Sequence, residues 1–498
     1  MCLRAIKTSL KCETSTVNKE NILAIGSLFF VSLLASSNSA DCRENVLSGS
    51  LSMQQEYDSN IFQLEDDEED RWTTTLLPTL TLVSIGEKDE VSLTASSNLG
   101  WDQRLDERDL THNLAFSGSR QISQYWRITM SDNYSYNDQS PERDMDPGLS
   151  ITQRFQRAGQ YEQAEVARLL FPELSYTPDD YLYVLTELER RYAQASVSTQ
   201  QEVDRYLSNT EGRRRYSDNE FSIGAEYEFA RDSMLTLGYR YFANDDRSAG
   251  ISEYYEHSPS VGLSYRFNPE WLASVSHEFT KGQYDTANDL NENNTLFAVD
   301  YTLSQTDQLT ASYGYDTTNF QGTSEDIVDQ TGELGWNHAL SANTRLTTSL
   351  SQNYLAREYN GDESESGLDL GISRSLQRGS ISLGAGYVSG QQKRDGSWED
   401  LRENWTVDGG ISYTLLQDVT GTFNLAYEKR YLWPELGGKE DFDDYEAGAS
   451  VTYSFLRWFA LTCRYTYNKL ESNNSIVSGY DEHLIMVELS ASKELLRW

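Results

Sequence analysis

Enzymes and metalloproteins depend on residues of which this sequence has few. Its 498 residues include four cysteines, five histidines and eight prolines. The cysteines are Cys2, Cys12, Cys42 and Cys463, a spacing that fits neither a disulfide framework nor a metal cluster. The stretch from Asp289 to Asn294 begins like a calcium-binding loop but lacks the glycine of its sixth place. No glycine-rich phosphate loop is present either, so we expect no cofactor and no metal site.

Basic residues and long apolar runs are also scarce. Lys and Arg number 41 against 78 Asp and Glu, which gives a formal net charge of -37. So acidic a chain repels nucleic-acid phosphates, and nucleic acid is therefore excluded as a partner. The mean hydropathy of -0.62 is too low for a membrane protein built of helices. Aromatic residues are abundant instead, with 32 Tyr, 17 Phe and 10 Trp.

The N-terminus has the pattern of an export signal. Basic residues precede the apolar run from Ile22 to Leu34, and small residues follow it up to Ala40. The run is too short to cross a bilayer as a helix. We therefore predict a signal peptide over residues 1–40, with cleavage after Ala40 as the first choice and after Ser37 as the second, and a mature chain over residues 41–498.

One pattern dominates the mature chain and is clearest from Phe459 to Tyr467. Every second residue there is apolar, and the residues between are small or polar apart from Arg464. This period of two predicts strands with one apolar and one polar face. The pattern recurs about 20 times, and tight turns alternate with long acidic loops between the strands. A soluble sandwich does not need so many similar strands, whereas a membrane barrel does.

The sequence therefore predicts an all-β fold, namely a transmembrane antiparallel β-barrel of about 20 strands. Counts of about 18 or 22 strands remain alternatives, because weak strands such as Leu110 to Gly118 can be miscounted. The tight turns and both termini belong at the periplasm and the long loops outside. Pro78, inside the predicted second strand, indicates an edge or a bulge. Near the C-terminus the alternation breaks at Glu494 and Leu496.

Aromatic residues fall at both ends of the predicted strands, as expected for rings that settle at the two bilayer interfaces. The outer set is Tyr57, Tyr136, Tyr241, Phe279, Tyr315, Tyr354, Tyr387, Tyr427 and Tyr467. The inner set is Trp126, Phe229, Phe267, Trp271, Tyr413, Phe455 and Trp458.

Residues 137–216 break the strand period and predict a helical insert, either extracellular or folded into the lumen. One helix is predicted from Ala158 to Phe171, and a second begins at Thr177-Pro178-Asp179-Asp180, a capped start with proline at the first helical position. Further apolar helical positions are Tyr181, Leu185, Leu188 and Tyr192, then Val203, Tyr206 and Leu207 after a capping box at Ser198 to Glu202. The insert is either a decorated surface loop or a lid or plug that controls access.

The positions between the apolar ones are mostly small, and charges of both signs stand among them. The predicted lumen-facing charges are Arg127, Arg240, Arg266, Glu278, Asp300, Glu333, Arg345, Asp369, Asp408, Glu428, Glu446, Arg464 and Glu488. Their excess of acids favours cations in a pore. The alternative is that these charges pair across strands and only stabilise the interior.

The segment Tyr57-Asp58-Ser59-Asn60-Ile61-Phe62, an acidic loop and then Pro78-Thr79-Leu80-Thr81-Leu82 resembles the opening of the β-barrel porins associated with exopolysaccharide export loci in Gram-negative bacteria. The resemblance implies a location in the cell outer membrane and a role with polysaccharide or its export components. Outer-membrane lipids and lipopolysaccharide are further expected partners. The C-terminal aromatic, Trp498, is typical of chains that engage the outer-membrane assembly machinery.

We predict no enzyme, because a hydrolase needs a nucleophile with a base beside it, and His112, His277 and His338 fall on the apolar rows. The function predicted from sequence is a passive channel or an outer-membrane component of polysaccharide secretion or surface assembly. The alternative is a structural or adhesive surface protein whose barrel is plugged by its insert.

Overall fold

The computed structural model describes residues 43–60, 70–103, 107–139, 160–171, 214–246, 254–284, 289–321, 326–357, 362–394, 397–433, 439–473 and 479–498, with residues 151, 155, 184, 188, 190–192, 199, 203 and 207 of the insert. Asn45–Trp498 form one compact unit. Of the preceding unit, Met1–Glu44, only residues 43 and 44 are described, so the predicted signal peptide lies outside the described residues.

The compact unit is a closed antiparallel barrel of 20 strands, as the alternation predicts. Each strand pairs with its neighbours in sequence, and β1 also pairs with β20, which closes the sheet. The strands are β1 (Glu44–Asp58), β2 (Arg71–Ile85), β3 (Asp89–Asp102), β4 (Glu107–Gln121), β5 (Trp126–Gln139), β6 (Arg214–Ala230), β7 (Ser233–Asp246), β8 (Tyr254–Arg266), β9 (Trp271–Tyr284), β10 (Leu290–Thr302), β11 (Asp307–Phe320), β12 (Asp326–Ser341), β13 (Thr344–Arg357), β14 (Glu363–Leu376), β15 (Gly379–Arg394), β16 (Ser397–Leu416), β17 (Val419–Leu432), β18 (Glu440–Phe455), β19 (Phe459–Ser472) and β20 (Tyr480–Arg497).

Each strand presents an apolar face and a polar face, because successive side chains point to opposite sides of the sheet. On β15, Leu383 is 55% exposed and belongs to the apolar face, while Ser382 and Gly384 belong to the polar face. Large apolar side chains are exposed all around the barrel on this one face. Closure of the sheet leaves no free edge for another chain to extend.

The two ends of the barrel differ. Tight turns join β2 to β3 and every second pair after that; we call this the turn end and the opposite end the loop end. At the turn end Asp232, in the two-residue turn between β6 and β7, has a positive φ of 57°, and Leu456 and Arg457, in the three-residue turn between β18 and β19, have positive φ of 50° and 64°. Tight hairpin turns commonly place residues in this left-handed region. Gly379 begins β15 where a Cβ would lie 1.9 Å from the Ser412 carbonyl oxygen, so only glycine fits.

The two irregularities of the sequence, at Pro78 and near the C-terminus, each correspond to a feature of the strand pairing. The prediction that Pro78 marks an edge is wrong, because β2 pairs with both β1 and β3. The ladder to β3 instead skips two positions, between the pairs Leu76–Leu99 and Thr79–Ser96, without a change of register. Near the C-terminus a bulge on β20 at Leu495 shifts the register with β1, and pairing then continues to Arg497. The broken alternation is thus a bulge inside the last strand.

The predicted aromatic sets lie at opposite ends of the strands, the outer set at the loop end and the inner set at the turn end. The outer set also follows the tilt of the barrel. Phe279 pairs with Asn293, which pairs with Thr317, whereas the aromatic residue on β11 is Tyr315, two residues nearer the turn end. The same step recurs on β17 and β19. A stagger of this kind keeps a ring level around tilted strands.

The insert between β5 and β6 has a core of its own. Helix α1 (Gln160–Leu170) occupies the place predicted for the first helix. Residues 184, 188, 190–192, 199, 203 and 207 are also helical, which confirms the later helices where they are described; Tyr181, Leu185, Tyr206 and the Thr177 to Asp180 start lie outside the described residues. The core residues are Ile151, Phe155, Val166, Ala167, Leu170, Phe171, Val184, Leu188, Val203 and Leu207, with Leu169 and Tyr192 packed against them.

Candidate functional site

The polar face of the barrel is built largely from small hydroxyl residues that bond to one another across strands. Such contacts join Thr81 to Thr94 at 3.2 Å, Ser131 to Ser222 at 2.7 Å, Thr422 to Ser450 at 2.6 Å and Thr452 to Thr462 at 3.1 Å. Because these side chains are short and bond sideways, they extend only a short way from the sheet. Their hydroxyls give this face a polar, uncharged surface.

Some of the charged candidates form ion pairs on this face. Arg240 lies 3.6 Å from Glu278, and Arg266 reaches the turn residue Asp232 at 3.1 Å. Arg430, which sequence reasoning did not select, lies 3.2 Å from Glu428. Arg240 and Glu278 thus pair between strands β7 and β9, whereas Arg430 and Glu428 lie on the same strand, β17.

Other carboxylates on the polar face accept hydrogen bonds from neutral groups. Asn404 donates to Glu428 at 3.0 Å, Asn424 donates to Glu446 at 3.2 Å, Ser52 donates to Glu488 at 2.5 Å and Ser349 donates to Asp369 at 3.4 Å. The donors to Glu446, Glu488 and Asp369 bring no charge of their own, whereas Glu428 is also paired with Arg430. Sequence reasoning missed the two asparagines, since a polar residue at an alternating position gives no sign of the residue opposite it.

The remaining candidates are Arg127, Asp300, Glu333, Arg345, Asp408 and Arg464. For their side chains no described residue provides a hydrogen bond or an ion pair. Arg127 lines a turn-end cavity of 480 Å³ together with Glu90, Glu226 and Glu228. The polar face thus carries charges that have no partner among the described residues as well as paired ones.

Acidic residues gather at the loop end of the polar face, past the outer aromatic set. Burial, followed by the charge of Asp316, raises the pKa of Glu292 to about 7. Burial, followed by the same charge, also raises the pKa of Asp329. This region therefore concentrates negative charge, and protonation near neutral pH reduces it.

Aromatic rings stand among these acids on three neighbouring strands. Phe242 and Tyr254 have ring centroids 5.6 Å apart, and Tyr254 and Tyr284 are stacked at 5.0 Å. The Tyr284 hydroxyl donates a hydrogen bond to Glu256 at 3.0 Å. Burial and the charge of Glu256 raise the pKa of Tyr284, so the ring stays neutral. Sequence reasoning missed this group, because β8 begins at Tyr254 and passes through Pro259, a residue at which a strand prediction stops.

The histidines lie on the apolar face, each with one cross-strand partner. His257 and His483 contact the hydroxyls of Tyr239 and Tyr465 at 2.6 and 2.8 Å. Ser97 lies 2.8 Å from His112, the spacing of a nucleophile and its base. No carboxylate of the described residues orients His112, however, so the pair lacks the third group of a catalytic triad.

Among the described residues, no group of three or more His, Cys, Asp or Glu side chains could hold a metal ion. No helix in the described part of the chain is long and apolar enough to cross a membrane.

Residues 404–493, which cover most of β16 to β20, match a family model described as "Putative beta-barrel porin 2". No curated protein matches the sequence.

The fold is also similar to that of solved outer-membrane receptors. The siderophore receptor PirA from Pseudomonas aeruginosa matches with a TM-score of 0.51 and 11% identity, over 90% of this chain and 80% of that chain. A variant of the ferric enterobactin receptor PfeA from the same organism matches with a TM-score of 0.51 and 10% identity, over 90% of this chain and 80% of that chain. PirA from Acinetobacter baumannii matches with a TM-score of 0.50 and 11% identity, over 90% of this chain and 81% of that chain. At these identities the likeness shows the barrel fold alone.

Proposed function

We propose that the protein is an outer-membrane channel whose polar face lines an aqueous lumen and whose apolar face contacts lipid. The observation that carries the proposal is the make-up of the polar face, a closed ring of small hydroxyl residues and glycines with charges such as Arg127, Glu333 and Asp408 that no described residue pairs. Unpaired charges are costly in a dry interior but are well solvated in a water-filled pore. The porin family model and the fold of the solved receptors support the same class of protein.

The orientation follows from the lengths of the connections. In outer-membrane barrels the short turns face the periplasm and the long loops face outward. The turn end is then periplasmic, and the insert between β5 and β6 starts from the outer side. Lys429 and Lys439, which lie 5.4 and 3.4 Å from the Tyr431 ring centre, are then placed to meet lipid phosphates at the outer surface. Assembly through the C-terminal strand, which runs to Arg497 just before Trp498, belongs to the same proposal.

The solutes of this channel are hydrated and neutral or cationic. Acids outnumber arginines among the charged candidates, and the neutral donors Asn424 and Ser52 hold Glu446 and Glu488. An acidic wall raises the local concentration of cations and repels anions. A role in polysaccharide secretion rests on the resemblance of the opening motif, Tyr57 to Phe62, to porins of export loci.

A plugged surface protein is the second candidate, because the insert has a core of its own around Phe155, Phe171 and Leu188. A domain with its own core can occupy a lumen as a unit. In the proposed channel the insert acts as a lid, and in the alternative it closes the barrel permanently.

Ion selectivity tests the proposed function. The purified protein is placed in a planar bilayer under a KCl gradient, and the reversal potential is measured. We expect cation selectivity, and the double variant Asp408→Asn, Glu333→Gln should reduce it. Asp443→Asn is the matched control, because Asp443 lies on the apolar face and pairs there with Lys429 at 3.2 Å. Anion selectivity, or equal effects of both changes, would contradict the proposal.

A further inference from the structure

Three aromatic side chains form a continuous group on the polar face at the loop end, which we call the aromatic ledge: Phe242 on β7, Tyr254 on β8 and Tyr284 on β9. Tyr254 pairs with Tyr284 across the strands, and the two rings are stacked with an interplanar angle of 18°. Phe242 meets the other side of Tyr254 at 36°. Nearer the turn end, the polar face of the same three strands carries Gly238, Ser260 and Ser276, so the ledge is a change of chemistry along these strands.

The ring of Tyr284 is held in place from below. Gly282 leaves the space that this ring fills, since a Cβ there would lie 2.9 Å from Cε2 and 3.3 Å from the hydroxyl of Tyr284. The hydroxyl donates to Glu256 Oε1 at 3.0 Å. A hydrogen bond thus fixes one side of the Tyr284 ring, and the ring packs against Gly282. The ring therefore forms a rigid rather than an adaptable surface.

Carboxylates surround the ledge, and few cations of the described residues oppose them. Glu256 lies on β8 between the levels of Tyr254 and Ser258, and Glu292 lies on β10 opposite Thr280. Arg240 is the cation nearest in register, and Glu278 at 3.6 Å and Ser258 at 3.2 Å already engage it. Among the described residues no cation is therefore paired with Glu256 or Glu292, and Glu292 is charged above its pKa of about 7.

We propose that the aromatic ledge with Glu256 and Glu292 binds organic ammonium groups that enter the lumen from the loop end. The inference rests on the proposed function in one respect, namely that the lumen gives access to the ledge. Aromatic faces attract ammonium ions by their quadrupole, most strongly where water is partly excluded. Carboxylates beside such rings add charge attraction and accept the ammonium hydrogens.

The geometry favours an organic ammonium ion over the other cations and over neutral sugars. A divalent metal ion needs several converging oxygen ligands, and the described residues hold no group of three acids, histidines or cysteines arranged for one. A neutral sugar would leave the charges of Glu256 and Glu292 without a partner. An ammonium group uses both the rings and the carboxylates.

Two sources share this chemistry, namely a free polyamine and a polysaccharide that carries amino groups. The two differ in length, since a polymer spans several sites along the acidic wall. Multivalent attachment raises apparent affinity when several groups bind at once. A glucosamine oligomer that binds more tightly than spermidine would identify the polymer, and the reverse order would identify the free amine.

Binding to the full chain in detergent tests the proposal without reference to conductance. Spermidine, a glucosamine oligomer and the same oligomer fully N-acetylated are titrated calorimetrically at pH 7.5 and fixed ionic strength. We expect the two amines to bind and the acetylated oligomer to bind at least about tenfold more weakly, since acetylation removes the charge on which the cation–π contact depends. Equal binding of the acetylated oligomer would overturn the ammonium assignment.

Variants locate the site. Tyr254→Ala and Glu256→Gln should each weaken spermidine binding by about tenfold, and Tyr284→Phe should weaken it less, since it keeps the ring. Glu446→Gln is the control, because it removes the same charge from β18, where Asn424 rather than an aromatic ring lies beside it. Heat-modifiable migration confirms folding of each variant. Unchanged binding in the folded ledge variants, or an equal loss in Glu446→Gln, would overturn the site.

The proposed channel and the proposed binding site are refuted by different results. Spermidine binding without ion conductance would refute the channel and leave the site, whereas conductance without spermidine binding would refute the site alone. Competition by MgCl2 at equal ionic strength completes the test. Equal displacement by Mg²⁺ would mean that charge alone attracts the ligand and would overturn the role of the rings.

Discussion

Ser52 on the first strand donates a hydrogen bond of 2.5 Å to Glu488 on the last strand, across the seam where the barrel closes. On either side of Ser52, the apolar face carries Leu51 and Met53, which are 47% and 52% exposed. One short stretch thus displays closure of the sheet, separation of the two faces and a carboxylate held on the polar face by a neutral donor.

The first prediction concerns that seam. Ser52→Ala should lower the free energy of unfolding by about 1–3 kcal/mol, because it removes a hydrogen bond to a charged group. Urea unfolding in lipid vesicles measures the change. Ser50→Ala is the control, since Ser50 lies on the same face and pairs only through its backbone with Ser492. Equal stability of the two variants would show that the contact contributes nothing.

The second prediction tests the assignment of the two faces with neighbouring residues on β15. Leu383→Arg should cost roughly 2 to 4 kcal/mol of folding free energy, because it places a cation against lipid near mid-span. Ser382→Arg should leave stability nearly unchanged and alter ion selectivity. Vesicle unfolding and reversal potentials measure the two effects. If the two variants fold equally well, the apolar face does not contact lipid.

The alternation of apolar residues was enough to predict the number of strands, their order and the place of the insert. Even the weak fourth strand is present, as Glu107–Gln121. The bulge at Leu495 and the skipped pairs beside Pro78 depend on register, which alternation alone does not determine. The partners of Glu446 and Glu488 were missed for the same reason. The aromatic ledge was missed because β8 continues through Pro259, a residue at which a strand prediction stops.

The third prediction concerns the insert. Phe171→Ala should destabilise it by about 3 to 5 kcal/mol, because Phe171 is fully buried and its ring also meets the Arg191 guanidinium at 5.1 Å. Proteases should then cut the insert faster while the barrel keeps its heat-modifiable migration. Arg168→Ala on the exposed side of α1 is the control. Loss of the barrel in Phe171→Ala would mean that the two fold as one unit.

The fourth prediction is a pH dependence of selectivity. The pKa of Glu292 is raised to about 7 by burial and by Asp316, so its carboxyl is charged above that pH and neutral below it. Cation selectivity should therefore fall as pH drops from about 8 to about 6. At both pH values, the Glu292→Gln variant should show the lower cation selectivity that the wild type shows at the lower pH. A wild-type protein whose selectivity does not vary over this range would contradict the assignment.

Deletion of the insert tests the channel most directly. Gln139 and Arg214 are paired at the ends of β5 and β6, so a short Gly/Ser bridge can replace residues 140–213 without disturbing the strands. Single-channel conductance in a planar bilayer is then compared between the full chain and this deletion, both checked for heat-modifiable migration. The account predicts cation-selective current steps in both, with larger steps after deletion. The absence of current steps from both folded proteins would contradict it.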